Sequence, residues 1–364
     1  MQALILVGGE GTRLRPLTST IPKPVLPLVD RPIIAYMLEW LRGHGVTDIV
    51  MSCGFLASGV RNVLGDGSDL GIRLRYVEEP RPLGTGGAVK YAESLLEERF
   101  LMLNGDVLTD LDVSAQLEQH EHTGARATLA LIPVDDPSAY GLVRLEEDRT
   151  VKEFLEKPSP DQIDTDLINA GAYVLERDVL SLIPPGVTWS IERELFPRLV
   201  GQGLYGFPGE GYWLDIGTPE RYLQATFDIL ERNVHTGVDL DAGFLDVADD
   251  VESRGRIVPP AVVQAGASIA PGGRVGSLAV LGRDVKVGRE ATIERAVVLQ
   301  GAEVGAGCQL EQCIVGAGAR VGEGTQIDGG VVLGEGVTVG AGSGLSAGAR
   351  IFPGVTLPDG AIRF

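Results

Sequence analysis

Cysteine is close to absent. Cys53, Cys308 and Cys313 are an odd number at unrelated spacings, which argues against a disulfide framework or a zinc cluster. Histidine is equally scarce: His44, His120, His122 and His235 are the whole set, and none falls between 256 and 364. His120 and His122 are two apart and share no helix face, which speaks against a metal site there. Long apolar runs are missing. The chain opens MQALILVGG, with no basic stretch before Ala3–Val7 and no run long enough to span a bilayer, so it reads as cytoplasmic, without signal peptide or membrane span. Positive charge is in deficit. A net charge of −19 and a pI near 4.6 argue against nucleic acid or an anionic membrane surface as partner. Any phosphate bound by so acidic a molecule must be met by a few cations placed locally.

What is present divides by texture. The 364 residues are enough for more than one domain. Through about residue 235 short apolar runs alternate with helical patterns. Ala3–Val7, Asp48–Ser52, Leu74–Val77, Phe100–Leu103, Ala127–Pro133 and Ala170–Leu175 read as strands. Pro32–His44, Gly87–Leu96, Asp112–His122 and Pro219–Glu231 read as helices. Such alternation predicts an α/β sheet covered on both faces. From about residue 256 the helical period vanishes and an apolar residue returns every six: Ile269, Val275, Leu281, Val287 and Ile293. A five-residue step leads to Val298, Val304 and Leu310, and a second leads to Val315, Val321, Ile327, Leu333, Val339, Leu345, Ile351 and Leu357. Gly follows many of them. A short fixed repeat with Gly at its corners is the pattern of a β-helix. Residues 236–255 read as an acidic connector.

The stretch LVGGEGTRLRPLTSTIPKP, residues 6–24, follows the first strand. It is no Walker A, because no Gly-Lys-Ser/Thr ends it, and no dinucleotide fingerprint, because Leu14 stands at the third Gly position. A Gly-rich turn alone often only satisfies geometry. Here the N–H groups of Gly8, Gly9 and Gly11 make an anion-binding concavity, and Arg13 and Lys23 add charge within reach of it. Arg suits bidentate phosphate contact, and Lys acts as a point charge. Pro16, Pro22 and Pro24 stiffen the segment and lower its ordering cost.

GGEGTRLRPLTSTIPKP resembles the signature of the sugar-1-phosphate nucleotidyltransferases. Four further stretches resemble that family in the same order: EEPRPLGTGGA (78–88), LNGDV (103–107), EKP (156–158) with NAGAYV (169–174), and WLDIGTPERY (213–222). The trailing repeats are similar to those of one branch, the mannose-1-phosphate guanylyltransferases. The resemblance covers essentially the whole chain. It implies an α/β fold: a Rossmann-like (GT-A-like) nucleotidyltransferase domain with a mixed sheet over 1–235, the connector 236–255, and a left-handed parallel β-helix over 256–364.

The resemblance also assigns roles. The substrates are a nucleoside triphosphate and a sugar 1-phosphate, and the protein aligns two polyanions and neutralises charge as it builds. Asp106 and Asp215 are implied ligands of one Mg²⁺ bridging phosphate oxygens. Arg13 would stabilise the departing pyrophosphate, Lys23 would sit near the α-phosphate, and Lys157 would hold the sugar phosphate. The nucleotide is implied to contact Leu6, Gly8, Gly9, Gly11 and Thr12 in the first motif, Glu79, Gly84, Thr85 and Gly87 in the second, and Asn104, Gly105 and Asp106 in the third. Gly141, Glu156, Lys157, Asn169, Gly171 and Trp213 are implied around the sugar. Asp110, Asp112, Asp135 and Asp136 read as surface or capping residues.

Base preference has a physical argument. Guanine presents adjacent N–H donors that one carboxylate accepts together, whereas uracil and thymine present one N–H between two carbonyls and suit an amide. Glu78 and Glu79 stand where thymidylyl and uridylyl relatives usually carry Gln, which favours GTP. Mannose, glucose and a cyclitol phosphate all fit a pocket Glu and Asn, so the sugar stays open, with mannose 1-phosphate preferred from the branch. Hexapeptide acyltransferases need a His base, and 256–364 has none. A silent regulatory subunit tends to lose the loop Arg or Lys or an Asp ligand, and all are present. The β-helix is expected to stabilise and assemble a homo-oligomer, with Ile362 and Phe364 packing on a neighbouring chain or folding back.

Overall fold

We describe the protein from a computed structural model covering residues 1–54, 56–238, 240–241 and 243–361. Ile362 and Phe364 lie outside the described residues. The chain forms two compact units, Met1–Gly9 with Met37–Trp213, and Glu10–Tyr36 with Leu214–Phe364. Among the described residues no helix is long and apolar enough to cross a membrane.

The first unit is built on a nine-stranded mixed sheet. Its strands are β1 (Gln2–Val7), β2 (Asp48–Cys53), β3 (Arg73–Glu78), β4 (Arg99–Asn104), β5 (Ala127–Pro133), β6 (Gly141–Leu145), β7 (Val151–Glu156), β8 (Leu167–Glu176) and β9 (Leu204–Pro208). The order along the main path is β7-β6-β8-β4-β1-β2-β3, and β5 pairs with β8 and β9. The four strands β3-β2-β1-β4 are parallel, and β8 joins β4 antiparallel. Continuous apolar runs such as ALILV suit strands covered on both faces, and Ala3, Leu4, Ile5, Phe100, Met102 and Leu103 are buried. The six expected strands are all present within a few residues of their expected ends. Strand β9 was not anticipated, and neither was the hairpin β6–β7, where charged residues such as Arg144 and Glu153 interrupt the apolar positions; those two side chains pair with each other.

Helices α1 (Ile33–Gly43), α3 (Gly84–Ala92), α4 (Val113–Thr123) and α5 (Pro219–Leu230) fall where the periodicity predicts them; α2 (Ala57–Leu64) was not anticipated. Asp112 caps α4, accepting from the N–H groups of Ser114 and Ala115 at 3.0 Å each. Thr218 caps α5, with Pro219 in its first turn.

The second unit holds the β-helix. Three parallel sheets of seven, seven and six short strands wind as a left-handed prism. Paired rungs are spaced by one coil. Val263 pairs with Leu281, a step of 18, whereas Leu281 to Val298 and Val298 to Val315 are steps of 17. The shorter coils contain the two five-residue steps seen in the repeat. The inward residues form one continuous core, including Val263, Leu281, Val298, Val315 and Leu333. Strands begin at Leu245–Val247 and Glu252–Ser253, inside the stretch read as connector.

One β-helix sheet is apolar on its outer side as well. Val262, Val280, Val297, Ile314 and Val332 stack in register and are each 2% exposed or less. Residues 10–36 and α5, read by texture with the α/β region, meet this sheet in the same unit. Gln264 donates to the Val29 carbonyl at 3.1 Å, and the Tyr222 hydroxyl donates to the Pro27 carbonyl. The Arg295 guanidinium lies 4.7 Å from the centre of the Phe227 ring. Each outer side chain so covered contributes about 1.5–3 kcal/mol of burial.

Candidate active site

In the first unit the chain runs from β1 out to β2 and β3 on one side, while β4 lies on the other. Ligands of open α/β sheets bind beyond the carboxyl ends of strands at such a switch point. Gly8 and Gly9 leave β1 there, and Gly105 and Asp106 leave β4, with Leu6 and Asn104 paired in register one step earlier. The Gly105 N–H donates to the Leu6 carbonyl at 2.9 Å. A Cβ on Gly105 would come 2.5 Å from Val7 Cγ1, so only glycine lets the Asp106 turn approach β1 this closely.

Glu79 lies beside this turn. Its Oε1 is 3.1 Å from where a side chain on Gly8 would begin. Oε1 accepts from the Ser52 hydroxyl at 3.2 Å, and Oε2 accepts from the Leu83 N–H at 3.0 Å. Burial raises its pKa, and these two hydrogen bonds offset part of that rise. Glu78 is exposed, so the structure separates the two acids: Glu79 turns inward and Glu78 faces solvent. The LGTGG stretch opens α3. The N–H groups of Gly86 and Gly87 donate to the Trp189 carbonyl at 2.9 and 3.3 Å, and Thr85 donates to Glu192 at 2.7 Å. Gly84, Thr85 and Gly87 therefore pack on the 187–192 segment.

A second cluster gathers the residues implied for the sugar. Pairing of β6 with β7 sets Gly141 opposite Glu156, and Lys157 follows with a left-handed φ of 54°. The Lys157 N–H donates to the Tyr140 carbonyl at 3.1 Å. On β8 the register against β5 shifts between Asn169 and Tyr173, a bulge that re-aims the side chains there. Asn169 accepts from the Gly171 N–H at 3.1 Å and donates to the Tyr173 hydroxyl at 2.8 Å. Trp213 donates its indole N–H to the Ala170 carbonyl at 2.8 Å and meets Tyr140 edge-on at 5.3 Å. Tyr140, Tyr173 and Glu192 were missed by sequence reasoning. Tyr173 lies within the NAGAYV stretch but was given no role, whereas Tyr140 and Glu192 carry no local signal and folding alone brings them here.

Glu156 has its pKa raised, first by burial and then by the negative charge of Glu192. Ionising it therefore works against the fold. That penalty is complete above the raised native pKa, fades as pH falls through it, and vanishes below the ordinary carboxylate range. Glu156→Gln is expected to raise the thermal midpoint by about 1–3 °C at about pH 8 and lose that margin near pH 4, while lowering activity. Thermal unfolding at the two pH values checks this; an unchanged or lower midpoint at the higher pH would count against it.

The second unit holds Gly11, Thr12, Arg13, Lys23 and Asp215. A 3-10 turn spans Thr12–Leu14 behind Gly11 (φ 61°), whose carbonyl accepts from the Thr18 hydroxyl at 2.7 Å. Leu14 and Leu17 are buried and anchor the loop, and Lys23 is buried beside Val25 and Leu26. Asp215 ends the short strand Trp213–Asp215. Arg13 Nη2 is 3.9 Å from Asp215 Oδ2, with the Arg13 side chain 66% exposed. A Cβ on Gly217 would meet Arg13 Nη2 at 2.8 Å, so this glycine leaves room for the pair.

A sequence profile of the nucleotidyl transferase family matches residues 2–232, and one of the GMPPB C-terminal domain matches residues 257–358. This chain belongs to the nucleotidyl transferase family. It is similar to the mannose-1-phosphate guanylyltransferase of Mycobacterium tuberculosis, 38% identical over 301 residues, 78% of this chain and 83% of that one. It is 40% identical over 233 residues to the mannose-1-phosphate guanyltransferase of Kluyveromyces lactis, covering 62% of this chain and 64% of the relative, just under two thirds of its length. Among solved structures, HddC from Yersinia pseudotuberculosis aligns with a TM-score of 0.55 and 30% identity over 62% of this chain and 97% of its own. Nucleotidyl transferases of this kind generally use a divalent metal ion. Among the described residues no group of three or more His, Cys, Asp or Glu could hold one. Carboxylates, phosphate oxygens and water are the hard-oxygen donors such an ion takes.

Proposed function

We propose that the protein joins GTP to mannose 1-phosphate, giving GDP-mannose and pyrophosphate. The observation that carries the base preference is the Glu79 carboxylate, held inward beside Gly8 at the carboxyl ends of the parallel strands. Similarity supports it too: the M. tuberculosis and K. lactis relatives are named for mannose 1-phosphate and guanylyl transfer, and HddC was solved with GMP-PN at 30% identity and a TM-score of 0.54.

In this reading a phosphate oxygen of the sugar phosphate attacks the α-phosphorus of GTP in line. A new P–O bond forms there, and the bond to the β-phosphate oxygen breaks, releasing pyrophosphate. Glu156 and Asn169 bind sugar hydroxyls and Trp213 walls the ring. Lys157 holds the sugar phosphate. Gly8, Gly9, Gly11 and Thr12 cradle the phosphates, while Lys23 neutralises the α-phosphate and Arg13 the charge growing on pyrophosphate. Asp106 and Asp215 hold Mg²⁺, which when bound supplies charge neutralisation between the two anions. Residues 1–235 carry catalysis, 236–255 lead onward, and 256–364 stabilise and assemble in a cytoplasmic homo-oligomer. Phe352 and Val355, exposed on the last coils, support assembly; light scattering is expected to give at least a dimer at micromolar concentration, and a strict monomer would overturn it.

The test is a panel of GTP, dTTP, UTP and ATP at fixed mannose 1-phosphate, with wild type and Glu79→Gln. A carboxylate on guanine gains two charge-assisted hydrogen bonds, whereas opposite the uracil or thymine carbonyls it gains none and faces their oxygens. Wild type is expected to favour GTP by about a hundredfold or more in kcat/KM. Glu79→Gln narrows that ratio at least tenfold, roughly one lost charge-assisted bond. Equal constants across the four nucleotides in wild type would sink the guanine reading; an unchanged preference in the variant would remove Glu79 from the role.

A further inference from the structure

The outer face of the apolar β-helix sheet ends in a charge. In register its outward positions run Asp246, Val262, Val280, Val297, Ile314, Val332 and Arg350. After five buried apolar rungs the last is an arginine, and it reaches the segment that carries the signature loop. Nη1 of Arg350 donates to the Arg13 carbonyl at 2.9 Å and to the Arg15 carbonyl at 3.3 Å. Nη2 stands 3.6 Å from Oε1 of Glu220, in the first turn of α5. One side chain thus touches the backbone of Arg13 itself and the helix that begins just after Asp215.

The chemistry of that contact is specific to arginine. Carbonyls at the end of a short helical turn lack intrahelical partners, and a donor placed on them fixes the turn. A planar guanidinium offers several donors in fixed directions, so it can bridge two carbonyls and a carboxylate at once; an ammonium is a point charge without that fork. The Arg13 side chain is mostly exposed, and its guanidinium stands 3.9 Å from the Asp215 carboxylate. Such an exposed pair is weak. Where its guanidinium points is therefore set mainly by its backbone, and that backbone is what Arg350 grips.

We propose that Arg350, from the β-helix, is a positioning residue for nucleotidyl transfer: it ties the Thr12–Leu14 turn to the start of α5, so that the Arg13 guanidinium and the Asp215 carboxylate keep their spacing. This rests on the roles proposed above for Arg13 and Asp215. It gives the β-helix a part in turnover without giving it any catalytic residue.

The experiment uses the full-length protein with Arg350→Ala and Arg350→Lys, measuring kcat, KM for each substrate and the thermal midpoint. A misplacement near 1 Å costs about a hundredfold in rate. Arg350→Ala is accordingly expected to lose about 10- to 100-fold in kcat with KM values within about threefold and a midpoint within about 2 °C. Arg350→Lys, which keeps charge and one hydrogen bond, should fall between. Guanidinium ion at about 20 mM, the detached head group with the same donor fork, should restore part of the kcat of Arg350→Ala and not raise that of wild type. An unimpaired kcat in Arg350→Ala would overturn the proposal. So would a loss of kcat that tracks a falling midpoint and resists guanidinium, since that is the mark of general destabilisation. Arg13→Ala separates this from the reading beneath it: near-wild-type turnover there removes the role of Arg13, whereas an inactive Arg13→Ala beside an unimpaired Arg350→Ala removes only the role of Arg350.

Discussion

Replacing Arg13 with alanine is expected to lower kcat by about a thousandfold and to move the KM of either substrate only a few-fold. The expectation follows from where the charge is used. In the resting protein the guanidinium is largely exposed and sits 3.9 Å from Asp215, a pair that adds little stability. Little is lost from the fold when it goes. In the reaction, negative charge grows on the departing β- and γ-phosphates, and a guanidinium placed there acts on the transition state more than on bound GTP. Losing one such donor costs about 10²–10³, and an arginine acting on phosphoryl transfer about 10³–10⁵. Steady-state kinetics over both substrates, with the thermal midpoint as a control, checks the split. A variant with intact kcat and a raised KM for GTP would show that Arg13 only binds the ground state.

Much of this architecture is legible in the residues, and the parts that are not have identifiable causes. The two five-residue steps, Ile293 to Val298 and Leu310 to Val315, become two successive coils one residue shorter than the 18-residue coils on either side of them. The outer apolar stripe is also written in the repeat. Every third hexapeptide places a second apolar residue before the inward one, as in Val262-Val263, Val280-Leu281, Val297-Val298, Ile314-Val315 and Val332-Leu333. The other two sheets place Lys286, Glu303, Arg320, Gln309 or Gln326 there. A six-residue period read alone hides this, because the signal has the period of a whole coil. It explains why residues 10–36 and α5 belong to the compact unit of the β-helix. The hairpin β6–β7 escaped for the opposite reason: its apolar positions are few, and its place in the sheet comes from pairing with β8.

The candidate site divides in the same way. Asp106, Asn169 and Glu79 stand in stretches whose order along the chain points to them. Tyr140 and Glu192 do not, and Tyr173, though inside NAGAYV, was given no role there; their proximity to Glu156, Asn169 or Trp213 arises from a bulge, a ring contact and a packed turn. Glu192 illustrates the limit. It accepts from Thr85 and Ser190 at 2.7 and 2.6 Å and shifts the Glu156 carboxyl upward, yet WSIERELFP looks like an ordinary amphipathic stretch.

The largest loss is expected at Asp106. In Asp106→Ala, turnover should drop by about 10³–10⁴, and excess chelator should abolish wild-type turnover, with Mg²⁺ restoring it. Two polyanions must approach within bonding distance during the reaction, and their repulsion is the main obstacle a protein of net charge −19 has to overcome. In the proposed reading Arg13, Lys23 and Lys157 would supply three positive charges against the four or so of a nucleoside triphosphate and two of a sugar phosphate, and a divalent ion would complete the neutralisation. The backbone at Asp106 argues that its carboxylate is placed rather than incidental: Gly105 presses the turn onto β1, with its N–H on the Leu6 carbonyl at 2.9 Å. Asp106→Asn keeps the shape and removes the charge. It should lose nearly as much as Asp106→Ala and need more Mg²⁺ for half-maximal rate, whereas a capping role would leave it close to wild type. Titrating Mg²⁺ against the rate of pyrophosphate release in the wild type and both variants decides the matter. Near-wild-type turnover in Asp106→Ala, with an unchanged Mg²⁺ dependence, would remove Asp106 as a ligand.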